Sequence, residues 1–142
     1  MTQFSFTDEL QTGNALIDGE HRELVRRINL LFDAMEAGAS GDGLLKAMDA
    51  LVAYAAEHFA HESAEMARIR YVAALAHESE HEKLMQQIVG LRDMVTAGGR
   101  INVPAVSDFL SEWLREHILS ADRKLAAALR QERRAASAAH AG

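Results

Sequence analysis

Two pairs of side chains constrain this chain more than anything else in it. His58 and Glu62 stand four residues apart, and fifteen residues after Glu62, His77 is followed at the same spacing by His81. On an α-helix that spacing stacks both side chains on one face, one turn apart. Both pairs lie inside apolar stripes, where an unpaired carboxylate or imidazolium costs several kcal/mol. His21 near the start and His117 with Asp122 near the end stand in similar stripes. The pattern therefore asks for helices that point these seven residues at one shared partner.

The rest of the sequence suits that demand. The single proline among 142 residues, with abundant alanine and leucine, favours helix over strand. The length fits one domain with a substantial core. With no cysteine, any metal must be held by nitrogen and oxygen, which excludes thiolate zinc and iron–sulfur sites. The net charge of −6 argues against a nucleic-acid partner. No apolar run approaches the roughly 20 residues of a membrane span, and the polar, acidic N-terminus does not read as a signal peptide. The expectation is a cytoplasmic protein with no membrane partner.

Taken in order, residues 1–16 read as an irregular arm, with Phe4, Phe6 and Leu10 available to pack across a bundle end. Asp18 reads as the N-cap of a first helix whose stripe is Ile17, His21, Leu24, Val25, Ile28, Phe32 and Met35. Gly38 to Gly43 reads as a loop. The second stripe is Leu44, Met48, Leu51, Ala55, His58, Glu62 and Met66, ending in a turn over Arg68 to Val72. The third is His77, His81, Leu84, Ile88, Leu91 and Val95, closed by Thr96 to Arg100. Pro104 opens a fourth helix with the stripe Val106, Leu110, Trp113, Leu114, His117, Ile118, Ala121, Leu125 and Leu129. Asp122 is five residues after His117, about 140° away on an α-helix, yet still at the apolar edge, so that the two could flank one point from two sides. The expected fold is all-α: an antiparallel up-down-up-down four-helix bundle over residues 1–130, with an irregular N-terminal arm and a frayed or disordered tail over 131–142.

A single buried histidine is usually only a hydrogen-bonded core residue. Here every one of the four stripes contributes an inward group, and two divalent cations would turn that liability into binding energy. Five imidazoles and two carboxylates suit iron better than magnesium or calcium. If both carboxylates bridge and an oxide or hydroxide joins them, eleven of the twelve positions of two octahedra are filled. One position stays open for a small molecule. His61, rotated about 60° from His58, reads as a residue at the margin of the stripe, and His140 lies in the tail.

These residues resemble a known family. Ile17-Asp18-Gly19-Glu20-His21, then His58-Phe59-Ala60-His61-Glu62 followed by Met66 and Tyr71, His77-x-x-x-His81, and Trp113-Leu114-Arg115-Glu116-His117-Ile118 closing at Asp122 are similar to the bacterial hemerythrins. The resemblance runs from about Phe6 to Leu129. It implies two iron ions bridged by Glu62, Asp122 and an oxo or hydroxo group. His77, His81 and His117 would hold the filled iron, and His21 and His58 the open one. It implies reversible binding of O2, or of other small ligands such as azide or NO, in an oxygen carrier, store or sensor, not an enzyme. Leu114 matches an apolar residue of the family's ligand pocket, with Trp113 beside it. Three departures stand out: Ser63 replaces a second glutamate, Phe6 an early tryptophan, and Val72 a proline after Tyr71. None touches a ligand position.

Three rival readings compete. His77-Glu78-Ser79-Glu80-His81 fits H-E-x-x-H, the pattern of zinc hydrolases with Glu78 as general base. The chain lacks the downstream glycine-and-histidine extension of the metzincins and any hint of a substrate-binding strand. A ferritin-like di-iron oxidase needs two Glu-x-x-His motifs and two further glutamates, whereas here only Glu78-x-x-His81 has that spacing. A regulatory module responding to O2 or redox state would use the same pocket as a carrier.

Overall fold

The apolar stripes become helices because burying each one requires the other three. The computed structural model describes residues 4–38, 42–97 and 102–141. Helix α1 spans Ala15–Glu36, α2 Asp42–Arg68 and α3 Ala74–Thr96. Helix α4, Val103–His117, continues through a five-residue π turn, Ile118–Asp122, into α5, Arg123–Ala141. Helices α4 and α5 together form the fourth rod of an all-α four-helix bundle, with α1 against α2 and α4, and α2 against α3. No strand occurs among the described residues.

Two apolar clusters fill the bundle. The larger includes Ile28, Leu31, Phe32, Leu51, Ile88 and Leu110, all inaccessible to solvent or nearly so. The smaller joins Ile17, Met66, Leu125, Ala126 and Leu129. On each helix the polar residues of interest fall between the two clusters: His21 between Ile17 and Leu24, His58 and Glu62 between Ala55 and Met66, His117 and Asp122 between Leu114 and Leu125. The site is thus a polar layer closed at both ends by apolar packing, which keeps water out of it.

The helix boundaries differ from the sequence reading in a few places. The N-cap of α1 is Asn14, whose side chain accepts from Ile17 N at 3.0 Å. Asp18 lies one turn inside the helix instead, buried, and accepts from Thr12 N at 2.9 Å and Thr12 Oγ1 at 2.7 Å. It secures the arm to the bundle, and both residue types favour such local bonds to backbone N–H groups. Gly38, at φ +72°, ends α1 as expected. Of the expected loop, residues 39–41 lie outside the described residues, and Asp42 and Gly43 already belong to α2. Residues 98–100 also lie outside them. Asn102 caps α4, with Pro104 in its first turn. The arm contains a short 3₁₀ turn, Asp8–Leu10, whose Leu10 is buried. The tail was expected to fray, but α5 stays helical to Ala141 with residues 133–139 exposed. Alanine, arginine and glutamate are strong helix formers, and a helix already nucleated by packing extends at little cost.

Arg70, in the turn between α2 and α3, is the one non-glycine among the described residues with a positive φ, +53°. A left-handed conformation costs an L-residue about 1 kcal/mol. Arg70→Gly is expected to raise the melting temperature by about 2–4 °C, read by circular dichroism. An unchanged or lower value would mean that the Arg70 side chain offsets its own strain.

Candidate metal centre

Four rods contribute to the polar layer: α1 gives His21, α2 His58 and Glu62, α3 His77 and His81, and the fourth rod His117 and Asp122. All seven are at most 4% exposed. The π turn explains how His117 and Asp122 join. Bonding from i to i+5 stacks residues five apart, as an α-helix stacks residues four apart. His117 Nε2 consequently lies 3.0 Å from Asp122 Oδ1. The two share one face instead of flanking a point from two sides.

The two carboxylates divide the histidines into two groups. Glu62 Oε1 lies 2.9 Å from His77 Nε2, 3.0 Å from His81 Nε2 and 4.0 Å from His117 Nε2. Asp122 Oδ1 faces the same group, 3.2 Å from His77. The other oxygens face the other group. Glu62 Oε2 lies 3.0 Å from His58 Nε2. Asp122 Oδ2 lies 2.6 Å from His21 Nε2 and 3.8 Å from His58 Nε2. Two overlapping donor sets result: Glu62, His77, His81, His117 and Asp122 in one, and His21, His58, Glu62 and Asp122 in the other.

These donors suit cations better than they suit one another. His58 Nε2, His81 Nε2, His117 Nε2, Glu62 Oε2 and Asp122 Oδ1 are buried without a well-aligned hydrogen bond, although each has an opposite partner within 4 Å. Buried polar atoms are rarely left this way. Within each of the two donor sets the ligand atoms all lie within 4.8 Å of one another, close enough to surround an ion. The nitrogen and oxygen donor set fits iron.

The electrostatics agree. Burial alone would lower the imidazoles, but the surrounding carboxylates outweigh it and raise His58 to about 12, His77 to about 9 and His117 to about 10. For His81 burial prevails and the shift is downward. Burial pushes both Glu62 and Asp122 up, and the Asp122 charge pushes Glu62 up further, yet the facing histidines hold both below the usual carboxylate range. Without metal, the layer is a cluster of ion pairs.

Three residues around the layer were not assigned roles from the sequence. Glu20 accepts from His58 Nδ1 at 3.0 Å and also from His61 Nδ1. Glu80 accepts from His117 Nδ1 at 2.9 Å. Phe59 stacks on His81, with ring centroids 4.0 Å apart. Glu20 and Glu80 sit on the margins of their stripes, where nothing in a single sequence separates a hydrogen-bonded carboxylate from a solvated one. His61, half exposed, joins Glu20 and none of the metal donors. Glu78 lines a surface cleft with Phe59, Ser63, His81 and Glu82 and belongs to neither group of clustered donors.

A four-helix bundle with five histidines and two carboxylates in a buried central layer defines a protein built to bind metal. The chain matches the Hemerythrin HHE cation binding domain over residues 12–129, and it belongs to that family. It is 32% identical over 122 residues to a bacteriohemerythrin of Pseudomonas paraeruginosa, covering 86% of this chain and 78% of that one. It is 30% identical to a bacteriohemerythrin of Methylococcus capsulatus, covering 81% and 87%. A solved wild-type hemerythrin superposes with a TM-score of 0.80 at 28% identity, over 89% of this chain and 97% of that chain. No helix among the described residues is long and apolar enough to cross a membrane.

Proposed function

We propose that this chain binds O2 reversibly at a non-haem di-iron centre. The observation that carries the reading is the division of oxygens: each of Glu62 and Asp122 turns one oxygen to His77, His81 and His117 and the other to His21 and His58. Glu62 and Asp122 would each contribute to both metals, with His77, His81 and His117 holding one and His21 and His58 the other, which would have the fewer protein donors. Iron bound by these residues would supply the redox chemistry for reversible O2 binding.

The protein's own contribution is orientation and exclusion. The carboxylates fix the spacing of the two ions and balance part of their charge. Leu114, 1% exposed, and Trp113, 6% exposed, are buried on the fourth rod three and four residues before His117, and the ring centroids of Trp113 and Phe59 lie 6.3 Å apart. We assign Leu114 and Trp113 to the ligand pocket, where apolar walls exclude the water and protons that would strip bound oxygen and leave ferric iron. Leu114→Ala is expected to leave iron content intact and speed autoxidation severalfold, followed as the decay of the oxygenated spectrum; an unchanged rate removes Leu114 from the pocket. Histidine-rich ligation distinguishes this site from the carboxylate-rich oxidases and favours reversible binding. His77 and His81 converge with Glu62 and not with Glu78, so the H-E-x-x-H arrangement is not formed as a hydrolase would use it.

The test is an iron assay with ultraviolet–visible spectra of the anaerobically reduced protein before and after air. Two irons per chain, with charge-transfer bands that appear on O2 and vanish on its removal, support the proposal. Direct passage to a stable ferric spectrum would overturn it in favour of an oxidase or redox sensor.

A further inference from the structure

Among the described residues, two of the five clustered imidazoles have their outer nitrogen held by a carboxylate: His58 by Glu20 and His117 by Glu80. His21 Nδ1 and His81 Nδ1 are buried with no hydrogen-bond partner among the described residues. The two carboxylates also differ. Glu80 is partly exposed and holds one imidazole. Glu20 is 7% exposed and holds two, with His61 gripping its second oxygen from the surface. This follows from helix geometry. Glu20 precedes His21 on α1, so when His21 faces the metal layer, Glu20 is turned about 100° toward α2. There it meets His58 and His61, three residues apart on one side of α2.

We infer that Glu20 is a positioning residue for the metal on the His21/His58 side, and that exposed His61 acts on that metal through it. The inference rests on the di-iron reading. Three steps lead to it. A carboxylate on Nδ1–H fixes the tautomer that leaves the His58 Nε2 lone pair free for the metal. It makes that nitrogen a stronger donor and locks the ring plane. It also adds negative charge close to the layer, where Glu62 and Asp122 alone supply two negative charges against the four of a divalent pair. The ion on this side has the fewer protein donors, so it depends more on each one. His61 prevents Glu20 from turning toward solvent, so a half-exposed side chain with no contact to the metal adjusts it from outside.

The experiment is anaerobic cobalt(II) titration of the metal-free full chain, followed by visible absorption and chelator competition, which resolves the affinities of the two sites without any oxygen chemistry. Glu20→Gln keeps the volume and an acceptor but removes the charge. It is expected to weaken one of the two metals about 10- to 100-fold and leave the other within about threefold. His61→Ala, a surface change that leaves Glu20 charged, is expected to weaken the same metal by about 3- to 10-fold. Glu20→Asp is expected to recover part of the loss, and Glu80→Gln to weaken the other metal. Equal weakening of both metals by Glu20→Gln, or no change in either, overturns the inference, as does a silent His61→Ala. Wild-type protein that binds fewer than two cobalt ions would instead count against the di-metal reading itself, before any variant is compared.

Discussion

Glu62→Ala is expected to reduce bound iron from two per chain to less than one, and Asp122→Ala to do the same. The reason exceeds the loss of one donor. Two divalent cations about 3.5 Å apart repel by on the order of 20 kcal/mol even at an effective dielectric of about 20. What offsets that repulsion is anionic charge between the ions, and Glu62 is where both groups of histidines meet. Its Oε1 lies 2.9 Å from His77, and its Oε2 lies 3.0 Å from His58. Removing it takes a neutralising oxygen from both ions at once, so neither ion holds the other in place. The same substitution leaves His58, His77 and His81 facing a cavity, at a cost of about 1–3 kcal/mol for buried polar groups without partners. Glu62→Gln separates the cavity from the charge: it retains the volume, so any metal-free destabilisation it shows is that of the lost ion pairs with His58 and His77, and it should still lose the iron pair. Iron content by colorimetric assay and melting of the metal-free forms give the two readouts. A Glu62→Ala variant that kept two irons would show that the carboxylate does not bridge.

This expectation contrasts with the one for Glu20. A bridging residue should affect both metals, and a residue acting through His58 should affect one. The structure places the two glutamates on opposite sides of the same imidazole, Glu62 at Nε2 and Glu20 at Nδ1. Two substitutions around a single ring therefore test the whole arrangement.

How much of this was legible in the sequence depends on the kind of signal. His58, Glu62, His77 and His81 announced themselves because α-helical spacing repeats with every turn and their stripes are long. His117 and Asp122 were only half legible. Their spacing of five breaks the α-helical rule, and it makes sense only once the backbone widens to a π turn at that point. That widening is a tertiary choice, since no residue type specifies it as glycine specifies a positive φ. Glu20 and Glu80 were illegible for another reason. A carboxylate at the margin of a stripe is usually solvated, and its pairing with an imidazole depends on a neighbouring helix some forty residues away in the chain. The cap of α1 was misread because Asn14 and Asp18 are equally good cap residues four positions apart, and the deciding contact is with Thr12 in the arm. The tail was read from its place at the end of the chain, whereas its alanine and arginine content governs its conformation.

Raising the pH should move the metal-free and iron-loaded proteins in opposite directions. In the metal-free fold, burial opposes protonation of His58, His77 and His117, but the carboxylates prevail and raise them from 6.5 to about 12, 9 and 10. A group whose folded value is raised stabilises the fold fully below its unfolded value and loses that contribution as pH climbs through the folded one. The metal-free protein is therefore expected to be most stable near pH 6 and to melt about 5–10 °C lower at pH 9, where His77 has begun to lose its proton and the ion pairs with Glu62 and Asp122 weaken. Iron reverses the sign. It binds only neutral imidazole, so at lower pH it must displace those same protons, and its affinity rises as they become easier to remove. Because binding to the folded state alone adds stability in proportion to the logarithm of affinity, the gap between loaded and metal-free melting temperatures should widen steadily from pH 6 to pH 9. Paired melts across that range decide the matter. A gap that stays constant with pH would mean that the histidines are already neutral in the metal-free protein. The layer would then be a preformed neutral ligand set, and not a cluster of ion pairs that iron has to displace.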